Sequence, residues 1–397
     1  MNKNNYNSGK IKTSPRSKSR HVTSQQKIGN RRLLLLQIGL IVFLLTVTVV
    51  LFAKVSPGGL FAWISFDNDT HNSHLQGTIP KPTDPNKDYP YVTETDKKQF
   101  IASDGGEYLS GLYSNYAILI SLSDMSTVGY KNADKVIFPA SMTKLMTVIT
   151  ALDLIEDLDD TYVFDPEVLD RIILESQLLE DVKEELHQEL KNGGAHANMK
   201  YLYEEYFNGS DYEWITYTVR DLIYGISYRS GWDSVVCLID YLGLTWDHFV
   251  ALMNSKANEI GLQNTHFGGA IGMDYEENQT TCRDMAAIMA YAMENPLCAE
   301  FFGGTSYRLT HMKMTYTNRT LNDTFNNMGT NLSKVLGSKY TIVATKSGYE
   351  TEAGYCLVSC IRNKESGELF VLVTAKAKNG TKNSVLDMQE IFENFAP

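Results

Sequence analysis

The chain has 397 residues, 43% of them apolar and 11% aromatic, enough for a sizeable buried core in one large domain or two ordinary ones. That composition excludes a disordered or fibrous chain. The formal net charge of -11 argues against a nucleic-acid partner, and it is unevenly spread: the first 32 residues carry nine Lys or Arg and no Asp or Glu.

Residues 1–32 form a polar, basic tail. Leu33 to Ala53 follows as LLLLQIGLIVFLLTVTVVLFA, an almost unbroken apolar run that as a helix is about 30 Å long and so able to cross a bilayer. A cleaved leader has a shorter apolar region, about 7–15 residues, and ends at a small-x-small site, which does not follow Ala53. The run is therefore read as a retained N-terminal transmembrane helix. All the basic residues precede it, so the positive-inside rule puts the N-terminus in the cytoplasm and everything after about Lys54 outside, as a single-pass protein of the cell membrane. Residues 54–95, rich in Gly, Pro, Asn, Asp and Thr, read as an extracellular stalk, and 96–397 as the folded domain.

Within that domain YAILISLSD and VGYKN, joined by a turn at Asp124–Ser126, predict a hairpin. A helix is predicted from near Ala140 through SMTKLMTVITALDLI, where apolar residues recur at helical spacing. Residues from about 157 to 213 are rich in Glu, Asp and Leu, with the amphipathic stretch PEVLDRIILESQLLEDVKEELHQELK before a Gly-Gly break, and read as an acidic helical insertion. Helices are predicted at 218–227, 232–242, 246–260 and 281–294, strands at 340–346, 353–361 and 368–376, and a last helix over NSVLDMQEIFENF. This order predicts an α+β domain with an antiparallel sheet that joins both ends of the sequence, flanked by helices and accompanied by a helical subdomain.

Cys237, Cys282, Cys298, Cys356 and Cys360 show no Cys-x-x-Cys spacing, and the last two, in one predicted strand, lie about 13 Å apart, too far to bridge. Buried free thiols are expected. The eight histidines include no His-Glu-x-x-His arrangement, and His71 and His74 fall in the stalk, so no metal site is predicted.

The chemistry centres on Ser141-Met-Thr-Lys144. Three residues apart on a helix, the serine and lysine share a face one turn apart. A serine hydroxyl is a weak nucleophile until a base takes its proton, and a lysine serves as that base when burial, a nearby cation or a helix N-terminus lowers its pKa. Ser-x-x-Lys alone carries little: Ser24-Gln-Gln-Lys27 in the basic tail is a second match. Ser141 has company that Ser24 lacks. Lys346-Ser347-Gly348 closes a predicted strand, offering a cation for an anionic group, a hydroxyl and close backbone approach. Ser230-Gly231, in YRSGWD, lies between the two at a predicted helix start.

The order Ser-x-x-Lys, Ser-Gly-x, Lys-Ser-Gly is that of penicillin-binding proteins and class A β-lactamases. The chain resembles the D-alanyl-D-alanine carboxypeptidases of the low-molecular-mass penicillin-binding protein type from about Tyr116 onward, interrupted by the acidic insertion. KNAD before FPASMTKLMT, VRDLIYGISYRSG, NEIGLQNTHFGGAIGMD with TTCRDMAAIMAYAM, and KSGYETEAGYCLVS carry the likeness. The resemblance implies a DD-peptidase/β-lactamase-like fold and a serine D-Ala-D-Ala carboxypeptidase trimming peptidoglycan stem peptides, with β-lactams as covalent inhibitors and no metal or organic cofactor. It implies that Ser141 is acylated with Lys144 as base, that Ser230 relays a proton, and that Lys346 and Ser347 meet the substrate carboxylate. Gly348 would bring the strand close, and the N–H groups of Ser141 and Tyr349 would form the oxyanion hole.

The pattern breaks at Trp232, which stands where the family has the Asn of Ser-x-Asn, and the indole offers one donor and no acceptor. Ser347 replaces Thr, and Glu350 adds negative charge nearby. These departures motivate an alternative reading: a weakened or inactive homologue that binds cell wall or a partner. A class A β-lactamase would need a glutamate to activate the deacylating water, and Glu259 in NEIGLQN fits that pattern superficially.

Overall fold

A computed structural model of the chain describes residues 100–176, 216–273, 277–311, 314–322, 335–378 and 380–397, with isolated positions between 178 and 188. The basic tail, the apolar run at 33–53 and the stalk lie outside these residues. Among the described residues no single helix is long and apolar enough to cross a membrane.

Strands β1 (Glu107–Tyr108), β2 (Ser114–Ser121) and β3 (Thr127–Lys131) come first, and a 3-10 turn, Ala140–Met142, leads into helix α1 (Thr143–Leu152). Strand β4 (Thr161–Val163) and helix α2 (Pro166–Glu175) open the insertion, and β5 (Thr216–Thr218) closes it. Helices α3 (Val219–Arg229), α4 (Trp232–Tyr241), α5 (Trp246–Ile260), α6 (Cys282–Ala292) and α7 (Pro296–Gly303) follow. The chain ends with β6 (Ser306–Arg308), β7 (Thr315–Thr317), β8 (Tyr340–Glu350), β9 (Gly354–Asn363), β10 (Leu369–Ala377) and α8 (Thr381–Asn394).

The main sheet has the order β1-β3-β2-β10-β9-β8 and is antiparallel except for the β1/β3 pair. Leu372 of β10 lies opposite Leu119 of β2, so the sheet joins the two ends of the domain. Its central strands are apolar on both faces because both faces are covered. Ile118, Val358, Cys360, Val371 and Val373 point into a large core shared with α1 and α3–α6. Leu119, Leu357, Ile361, Phe370 and Leu372 point the other way, against Val385, Met388, Ile391 and Phe392 of α8. The result is three layers: one helix, the sheet, and the helical side. All five cysteines are free and buried, and desolvation pushes the thiols of Cys237 and Cys282 well above the usual range, leaving them unreactive.

Most helices begin where the sequence supplies a cap. The side chains of Thr218, Thr245 and Thr281 each accept from the backbone N–H three residues on, and Asp221 returns the bond to Thr218. The turn before α1 has no side-chain cap. The insertion differs from the all-helical expectation, because Thr161–Val163 pairs with Thr216–Thr218 and its base is a two-stranded ribbon. Asp240 of α4 accepts from Tyr162 at 3.0 Å and from Arg171 at 2.7 Å, docking β4 and α2 on the helical side. Residues 191–215 of the insertion lie outside the described residues. Strand β8 runs to Glu350, past the predicted end at 346, so Lys346, Ser347 and Gly348 lie within a strand at the sheet edge.

Candidate active site

Ser141 sits in the 3-10 turn, directly after Ala140, whose φ of 47° is in the left-handed region that a residue with a side chain rarely adopts. Such a conformation persists where neighbours fix it. Here Gly272 does so: its φ is +86°, and a Cβ on it would lie 2.0 Å from the carbonyl oxygen of Ala140, so only glycine lets the 268–273 loop close on the turn. One helical turn on from the half-buried Ser141, the buried Lys144 brings its Nζ to 3.1 Å from the serine Oγ, within reach of a proton transfer. The same Nζ donates to the backbone carbonyl of Ile271 at 2.6 Å. Gly272 therefore fixes both the turn carrying Ser141 and the carbonyl to which Lys144 donates.

The facing group is built from the end of α3 and the edge strand. Ser230 ends α3 in the left-handed conformation, φ 58° and ψ 29°, with 9% of its surface exposed. Nζ of Lys346 donates to Ser230 Oγ at 3.1 Å and to the carbonyl of Ser347 at 2.7 Å. Lys346 is 1% exposed, and burial pushes its pKa well below the usual lysine value, with the charges of Lys144 and Arg319 acting in the same direction. The unfolded chain thus keeps this proton to higher pH than the folded protein. Stability contributed by Lys346 then rises with pH up to about 10.4 and is lost as pH falls through the depressed value. Lys346→Met is expected to flatten that rise, read as Tm against pH for the two proteins.

Strand geometry aims the backbone at the turn. Ser347 donates its N–H to Oγ1 of Thr320 at 3.2 Å, so it points away from β9, and the N–H of Tyr349, two residues on, points the same way. Between them Gly348 makes the closest approach: a Cβ there would lie 2.8 Å from the backbone N of Ser141. Beyond it Tyr349 is 55% exposed, its ring 4.4 Å between centroids from that of Tyr355. The arrangement combines a hydroxyl with an amine beside it, backbone N–H groups where an oxyanion would form, and a buried cation with two hydroxyls for an anionic group.

Ser141, Lys144, Ser230, Lys346, Ser347, Gly348 and Tyr349 are thus brought to one region through these contacts. Trp232 is not displayed with them as an exposed group: at the start of α4 it is 3% exposed and belongs to the main core. Glu259 lies near the end of α5 in an ion pair with Lys256 at 2.6 Å. Sequence reasoning missed Ile271 and Thr320. The first acts through its backbone, which no side-chain pattern reports, although the Gly-Gly-Ala-Ile-Gly run signals a close-packed loop. The second is a threonine with no motif of its own.

The sequence profile of the D-alanyl-D-alanine carboxypeptidase family matches residues 183–378, a span that holds Ser230 and Lys346 and begins after Lys144. The D-alanyl-D-alanine carboxypeptidase DacF of Bacillus subtilis is 24% identical over 275 residues, 68% of this chain and 60% of that one. A D-alanyl-D-alanine carboxypeptidase of Streptomyces is 33% identical over 147 residues, 36% of this chain and 49% of its own. The alignments thus span about half to three fifths of these relatives' length. In fold, the crystal structure of a D-alanyl-D-alanine carboxypeptidase from Mycobacterium tuberculosis superposes with a TM-score of 0.53 at 19% identity, covering 74% of this chain and 94% of that one. The three-layer fold, the motif order and the profile agree in what they resemble: the chain is similar in sequence and in fold to the D-alanyl-D-alanine carboxypeptidases.

Proposed function

We propose that the protein is a serine-type D-Ala-D-Ala carboxypeptidase that trims peptidoglycan stem peptides through an acyl-enzyme on Ser141. The observation that carries this reading is the 3.1 Å contact of Lys144 Nζ with Ser141 Oγ, in a turn packed against the edge strand that bears Lys346. The substrate's terminal carboxylate pairs with Lys346 and the Ser347 hydroxyl, which sets the penultimate carbonyl over Ser141. Lys144 takes the Oγ proton as the C–O bond forms, and the N–H groups of Ser141 and Tyr349 hold the resulting oxyanion. The C–N bond then breaks and the departing D-alanine amine receives a proton through Ser230, whose Oγ lies 3.1 Å from Lys346 Nζ. Water attacks the ester, its proton returning through the same basic groups to Ser141. A β-lactam offers the same pairing of a reactive amide and a carboxylate, and acylates the same oxygen.

In this reading residues 33–53 anchor the chain, 54–95 form a stalk, and the domain from about 96 works outside the cell on the wall. The Ile271 carbonyl on Lys144 supports activity without the family's Asn, because it supplies the base with an acceptor. The test is product analysis with a peptide ending in D-Ala-D-Ala. Release of free D-alanine, with no cleavage inside cross-linked peptides, is expected, together with covalent labelling by a fluorescent penicillin. A native protein that neither releases D-alanine nor takes the label overturns the reading.

A further inference from the structure

The hydroxyl of Ser347 has a neighbour that gives it a direction. Thr320 lies in a short helical turn, 319–322, and is 2% exposed. The turn is tied down by Asn318, fully buried, which donates through Nδ2 to the carbonyl of Gly304 at 2.9 Å and accepts from the N–H of Leu321 at 3.2 Å. From this fixed place Thr320 Oγ1 accepts the N–H of Ser347 at 3.2 Å and lies 3.0 Å from Ser347 Oγ.

We propose that Thr320 is a positioning residue that orients the Ser347 hydroxyl as a donor to a substrate carboxylate, an inference that rests on the carboxypeptidase reading. A buried hydroxyl proton needs an acceptor. Of the two partners that Thr320 Oγ1 has among the described residues, the Ser347 N–H can only donate, so the Thr320 proton goes to Ser347 Oγ. That bond occupies an acceptor position of Ser347 Oγ and leaves its own proton to point elsewhere. Ser347 is half-buried, unlike Thr320, so the remaining direction is the open side of the edge strand. The neighbouring Lys346 supplies charge on that side, and the preset hydroxyl supplies a second, directional bond. The same Thr320 oxygen holds the Ser347 N–H, which fixes the strand backbone just before Gly348.

The test compares acylation by a cephalosporin acid with acylation by its methyl ester, taking the ratio of second-order rate constants. The native protein is expected to favour the acid. Thr320→Val, which keeps the shape and loses the hydroxyl, is expected to lower the ratio about tenfold, and Thr320→Ser to keep it within about twofold. In a Ser347→Ala background Thr320→Val is expected to leave the ratio unchanged. Equal loss of rate toward acid and ester, an unchanged ratio in Thr320→Val, or failure of Thr320→Ser to rescue it overturns the inference while the acyl-enzyme stands. A native protein that is not acylated at all overturns the carboxypeptidase reading and this inference together.

Discussion

Replacement of Ser141 by alanine is expected to lower kcat/KM for a D-Ala-D-Ala peptide by about 10,000-fold or more, and to abolish covalent penicillin labelling. The effect is large because Ser141 Oγ lies 3.1 Å from Lys144 Nζ, within reach of a proton transfer, and its loss removes the hydroxyl that would be acylated. Lys144→Ala is expected to cost a comparable factor, and the double variant little more than either alone, because base and nucleophile act as one unit. Folding responds differently to the two changes. Ser141 is half-buried with a small side chain, so its loss is expected to change stability by no more than about 0.5 kcal/mol. Lys144 is buried and donates to Ile271, so its removal leaves that carbonyl without the bond. Label and Tm measured on the same samples separate the chemical loss from the structural one. A Ser141→Ala protein that still takes penicillin covalently at the native rate would place the nucleophile elsewhere.

Gly348→Ala is expected to be the most damaging change that touches no group that reacts. The added methyl would meet Ser141 N at 2.8 Å, Ala140 Cβ at 2.9 Å and Met142 N at 3.2 Å. These are main-chain atoms and a Cβ fixed to the main chain, so no flexible side chain can swing aside. Either the strand end or the nucleophile turn must give. The N–H groups of Ser141 and Tyr349 then no longer converge on one oxygen, and the loss of one such donor corresponds to about 100- to 1,000-fold in kcat. Acylation should fall by that order while the circular dichroism spectrum stays near native and the Tm falls by several degrees, as overpacking of about 1–3 kcal/mol implies. Acylation within about twofold of native would mean that the edge strand supplies no oxyanion donor.

The layers were legible because their signals are local. The apolar run YAILISLSD and the three late strands announce a sheet that joins both ends of the domain, and apolar residues at helical spacing mark α1 and α3–α6. Helix α7 was not predicted: Pro296 and Gly303 bound only eight residues, too few for the periodicity to register. Strand β8 was predicted too short, because Lys346, Ser347 and Gly348 break an apolar pattern whose purpose is burial, and these residues answer instead to the site. Ser141, Lys144, Ser230 and Lys346 could be picked out by spacing and order. The environment of Trp232 could not, since an indole in place of an amide gives no hint whether the ring fills the core or faces substrate. Ile271 reaches Lys144 across 127 residues of chain, and Thr320 reaches Ser347 across 27, contacts that exist only once the layers are assembled.

The two borders of the sheet are treated very differently. An open strand border is a template on which another chain can pair and aggregate. One border is blunted by β1, only two residues long, with exposed Glu107 adding charge. The other belongs to β8, and its first half is covered: α7 comes so close that a Cβ on Gly303 would lie 2.1 Å from the carbonyl of Val343. Farther along that border Ser347 donates its outward N–H to Thr320 Oγ1 and Gly348 packs against Ser141, with exposed Tyr349 beyond them. Among the described residues neither border therefore offers a long run of unpaired backbone on which another chain could add.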